Sequence, residues 1–101
     1  MNDYSVIIST KAHLDITECV AFVLNVSKEA AYKLSNDIFS AIESLSNYPE
    51  RYPVFEMPKS FPFVVRKQVI NGRYIALYYV DGNKVIVARV LDVRRSFGAL
   101  I

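Results

Sequence analysis

The chain has 101 residues, 52% of them hydrophobic and 22% charged, with thirteen aromatic side chains and only three glycines. That is enough apolar material for one packed core and too little for two, and it excludes a disordered or low-complexity chain. The net charge of +2 hides an asymmetry: residues 1–58 carry four basic against eight acidic side chains, a net of −4, whereas residues 59–101 carry eight against two, a net of +6. A basic C-terminal part calls for an acidic or polyanionic partner.

The first segment, Tyr4 to Ser9, is β-branched and aromatic and reads as a strand. From Thr10, the expected N-cap, apolar residues recur at Ile16, Cys19, Val20 and Val23, while Lys11, Asp15 and Glu18 make a polar stripe opposite them. This is the pattern of an amphipathic helix. Asn25 to Ser27 interrupt it. Ser27, followed by Glu29, starts a second helix whose seam is Ala31, Leu34, Ile38, Ala41 and Leu45, stopped by Asn47 and Pro49. Residues 49–62 hold all four prolines and read as a connecting loop.

Beyond Phe63 the texture becomes that of strands, punctuated by Asn71–Gly72 and Asp81–Gly82. These dipeptides suit tight hairpins, so the segment predicts a three-stranded antiparallel meander. With two-residue turns and an unbroken ladder, Arg66, Gln68, Arg73, Ile75, Leu77, Tyr79, Lys84, Ile86, Ala88 and Val90 share one face. The other face carries Phe63, Val65, Val69, Tyr74, Ala76, Tyr78, Val80, Val85, Val87, Leu91 and Val93, interrupted by Lys67 and Arg89, and is expected to meet the helices. The result is a single α+β domain over 1–101 in the order β-α-α-β-β-β.

Three segments carry a family resemblance: LSNYPERYP (Leu45 to Pro53), RKQVINGRYIALYYV (Arg66 to Val80) and KVIVARVLDVRRS (Lys84 to Ser96). In this order and spacing they resemble the RelE/ParE superfamily, whose members are the toxins of type II toxin–antitoxin pairs. Tyr74, Tyr78, Arg89, Val90, Leu91, Arg94 and Arg95 match the ParE-like branch. Ile75 stands where ribosome-dependent nucleases of the RelE type tend to place Arg, and Asp92 stands where many relatives show His. The resemblance implies a helical hairpin packed on an antiparallel sheet. It also implies a cytoplasmic bacterial toxin that inhibits growth, in the manner of plasmid stabilisation systems, through a macromolecular target such as DNA gyrase, with a cognate antitoxin that neutralises it. Two alternatives stay open: an mRNA endoribonuclease acting on the ribosome, and a family member that has lost toxicity and survives as a binding module.

Cleavage of RNA needs groups that activate the 2′-hydroxyl, stabilise the crowded phosphate and protonate the leaving oxygen. The candidates for a nuclease are Arg66, Arg73, Arg94 and Arg95; those for binding target or antitoxin are Arg66, Arg73, Tyr79, Arg89, Arg94 and Arg95. Tyr79 is the aromatic expected to stack on a base or partner side chain, on the face of Arg66 and Arg73. His13 reads as a helix residue, and Cys19, the single cysteine, as a small buried hydrophobe. No metal site, nucleotide loop or Ser/His/Asp set is discernible, so no cofactor is expected. No basic leader or long apolar run suggests secretion or membrane insertion.

Overall fold

The computed structural model describes residues 4–94. Its elements run β1 (Ser5–Ile8), α1 (Thr10–Leu24), α2 (Lys28–Glu43), β2 (Val65–Ile70), β3 (Tyr74–Asp81) and β4 (Lys84–Asp92), with short 3-10 turns at Ser44–Ser46 and Pro49–Arg51. The order of elements is the expected one. The sheet order is β1-β4-β3-β2, and the last three strands form the antiparallel meander. β1 adds to β4 in parallel, Ser5 opposite Lys84 through Ile8 opposite Val87, so the sheet is mixed.

Both helices lie on one face. Ala12, Ile16 and Cys19 of α1 and Leu34, Ile38 and Ile42 of α2 meet Tyr74, Ala76, Tyr78, Val85, Val87 and Val90 from the sheet. Each such large aliphatic side chain contributes about 1.5–3 kcal/mol by leaving water. Of the predicted α2 seam, Ala31, Leu34, Ile38 and Leu45 are buried and Ala41 is half-buried. Ser27 caps α2 as expected, its hydroxyl accepting from the Ala30 amide at 3.1 Å. At α1 the cap is Ser9, not Thr10: the Ser9 hydroxyl accepts from the Ala12 amide and donates to the Ala88 carbonyl, both at 3.0 Å. Beyond α2, the Arg51 guanidinium donates to the carbonyls of Ser44, Asn47 and Tyr48, closing orphan acceptors at the helix end.

The expected division of the two sheet faces needs correction, for two separate reasons. Ile70 pairs with Tyr74, so the first turn holds three residues, with positive φ at Asn71 (54°) and Gly72 (66°). That extra residue inverts β2: Arg66, Gln68 and Ile70 face the helices, and Val65, Lys67 and Val69 face away. The second hairpin does have the two-residue turn, Asp81 pairing with Lys84. In β4, however, Tyr78 pairs with Val87 while Leu77 pairs with Arg89, leaving Ala88 as a one-residue bulge. Val85 and Val87 face the core as expected; past the bulge it is Val90 and Asp92 that are buried, and Leu91 that turns away.

Candidate functional site

The bulge and the end of β1 create a local problem that Asp15 solves. β1 pairs with β4 only as far as Val87, so the β4 backbone beyond it has no strand on that side. α1 runs alongside instead. The Ser9 amide and hydroxyl reach the Val87 and Ala88 carbonyls, and the Asp15 carboxylate accepts the Val90 amide at 3.0 Å. The same carboxylate takes Arg89 in two hydrogen bonds, 2.7 and 3.2 Å. Asp15, placed by its spacing on the polar stripe of α1, is therefore buried at 9% exposure because it completes a strand edge.

Asp92, the last residue of β4, is a second buried carboxylate. It is 3% exposed; its two oxygens accept from the Arg73 guanidinium at 3.2 and 3.1 Å, and one of them also accepts the Arg94 amide at 3.0 Å. The hydrogen bond to Asp92 raises Arg73 above its ordinary pKa, and the one to Asp15 does the same for Arg89. Both guanidiniums stay charged and directed at a carboxylate.

The remaining candidates are dispersed. Arg66 is half-buried, opposite Tyr78 on the helix-facing side, and donates to the Tyr52 carbonyl at 2.8 Å. Tyr79 points to the opposite side from Arg66, contrary to the expected shared face. Its ring is covered by Phe63, stacked at 4.6 Å and 21°, with Phe61 edge-on at 5.7 Å. Arg94 is exposed, just beyond β4, and Arg95 lies outside the described residues. Thus, among the described residues, the arginines put forward for a nuclease do not converge. Arg73 and Arg94 share Asp92, while Arg66 sits four ladder positions away from Ile70, the residue that opens the Arg73 turn, roughly 13 Å along the strand.

Two concave regions were not singled out by residue in the sequence. One, about 320 Å³, lies where Arg66, Glu50, Phe63, Tyr78 and Tyr79 meet. The Tyr78 hydroxyl donates to the Pro49 carbonyl beneath it, and burial pushes this phenol up to about 12. The other is a groove along the helical hairpin. A cavity of about 310 Å³ bounded by His13, Val20, Leu24 and Phe39 shares Val20 and Leu24 with one of about 300 Å³ at Lys28 and Tyr32, and shares Phe39 with one of about 190 Å³ at Val6, Ile8 and Glu43. The signal was present: Leu24, Tyr32 and Phe39 are apolar residues off the helix seams, and all three are exposed. Among the described residues no three His, Cys, Asp or Glu side chains gather as metal ligands, and no helix is long and apolar enough to cross a membrane. Cys19 is buried, as expected.

A small domain of two helices on one face of a four-stranded mixed sheet is the fold of a known toxin class. Residues 6–97 match the family described as the ParE toxin of the type II toxin–antitoxin system, parDE, and the chain belongs to that family. Among solved structures it is similar to a chain of the chromosomal ParDE TA system from P. aeruginosa, at 20% identity over 91% of this chain and 98% of that one, with a TM-score of 0.71. At that identity the likeness is one of fold. Curated protein sequences give no match.

Proposed function

We propose that this type II toxin works in the cytoplasm by binding a macromolecular target, DNA gyrase, rather than by cutting RNA, and that a cognate antitoxin neutralises it. The observation that carries this reading is the engagement of Arg73 by Asp92 and of Arg89 by Asp15. An arginine already forked onto a buried carboxylate is a poor clamp for a phosphate in the transition state, because the bidentate geometry is used up. The antitoxin has a fitting site in the hairpin groove, which continues past Phe39 to the open edge of β1. An apolar segment could lie in that groove and extend the sheet.

The alternative, a ribosome-dependent mRNA endoribonuclease, is favoured by one feature: Arg66, Glu50 and two phenols share a concave site of a size to accept a nucleotide. Induced expression without antitoxin separates the readings. Growth arrest with DNA damage signalling and intact mRNA, together with inhibition of purified gyrase, is the expected result. Codon-phased mRNA cleavage that is abolished by Arg66→Ala would overturn it, and normal growth with folded protein would leave only a non-toxic binding module.

A further inference from the structure

In an antiparallel sheet covered by helices on one side, the open side normally alternates to polar residues. Here it does not. Across β2, β3 and β4 the row Val69, Ile75, Leu91 is wholly aliphatic, and at the far end Tyr79 and Ile86 continue onto Ile7 of β1. Val69 is 54% and Ile7 41% exposed. Between these rows lies a third, in which Lys67 and Arg89 flank Leu77. Arg89 is neutralised by Asp15, but Lys67, half-buried at the centre of the face, has no carboxylate within ion-pair distance among the described residues. None of the three rows contains an acidic side chain.

We propose that this open face of the sheet docks a protein partner that presents apolar side chains around an acidic one. The acidic group would sit over Lys67, and the apolar ones over the two flanking rows. The inference does not depend on the target being gyrase; it assigns the surface and the chemistry that any protein target would need.

The same observations weigh against the other occupants. A nucleic-acid surface is strongly basic and offers open aromatic faces for stacking. This one has a single uncompensated cation in its three rows, and Phe63 already lies on the Tyr79 ring. A second copy related by a two-fold axis would bring Lys67 towards its own equivalent with no acid in these three rows to meet it. Residues 95–101 contain no acidic side chain either.

The test is an amide NMR titration of the full chain with three probes: a peptide alternating Leu and Glu, one alternating Leu and Lys, and oligothymidylate. The Leu/Glu peptide should shift Val69, Ile75, Leu77 and Ile86 saturably. Lys67→Glu should weaken that binding about tenfold and transfer the preference to the Leu/Lys peptide, while leaving the unfolding temperature unchanged. The proposal is overturned if Lys67→Glu binds the Leu/Glu peptide unaltered, if the shifts fall on α1 and α2 instead, or if oligothymidylate claims the face. Shifts of these amides on concentrating the protein alone would likewise replace the partner by a second copy.

Discussion

Asp92 and Tyr78 are single residues whose surroundings dictate testable behaviour. Both Asp92 oxygens are occupied, by Arg73 and by the Arg94 amide. Asp92→Asn replaces one acceptor with a donor and leaves Arg73 without its counter-charge, which should cost about 1–3 kcal/mol in urea denaturation. Arg94→Ala, at an exposed position, should be close to neutral. Tyr78 is held protonated up to about pH 12 by burial, against about 10 for a phenol in the unfolded chain. Its contribution to stability is therefore complete below about pH 10 and declines as pH rises towards 12, because the unfolded chain releases the proton first. Tyr78→Phe should flatten that alkaline decline, while lowering stability at neutral pH by about 1 kcal/mol through loss of the bond to Pro49. Denaturation curves across the pH range check both. Neither effect was legible in the sequence, where Tyr78 was simply an inward residue and Asp92 a departure from the family pattern.

The helix starts show how elements inherit constraints from their neighbours. The Ser27 hydroxyl accepts from the Ala30 amide of its own first turn, whereas the Ser9 hydroxyl also donates to the Ala88 carbonyl beside the β4 bulge. Ser27→Ala should cost about 1 kcal/mol, and Ser9→Ala about 1–2 kcal/mol, since the latter also strips an acceptor on β4 of its donor. Thermal unfolding of the two variants ranks them. Ser27 was readable as a cap because an acceptor side chain precedes a clean apolar period. At the start of α1, Ser9 and Thr10 are chemically equivalent as caps, and only the position of Ala88 decides between them.

At the scale of the whole molecule, the charge asymmetry between the two parts of the chain is reduced by folding. Asp15, from the acidic part, is spent on Arg89 from the basic part, and Arg73 is spent on Asp92 within the latter. Two of the eight cations of residues 59–101 are thereby engaged, which leaves six for a polyanion. Because Arg66 and Lys67 lie on opposite faces of the sheet, RNA binding should be weak, with a log–log salt slope short of the six phosphates those cations could meet together. Fluorescence anisotropy with oligouridylate at several salt concentrations measures that slope, and a steep one would restore the nuclease reading.

The order of strands and helices, the Ser27 cap, the second hairpin and the family resemblance were all determined by the sequence alone. They depend on spacing, turn chemistry and capping, which act over a few residues. Tertiary structure decided which sheet face meets the helices, because one extra residue in the first turn and one in the Ala88 bulge each reverse the alternation of side chains. It also decided the fate of the arginines. Arg73 meets Asp92 across 19 positions and Arg89 meets Asp15 across 74. The first pairing follows from the β3–β4 register beyond the Ala88 bulge and the second from how α1 lies against β4, and no local pattern of charge encodes either.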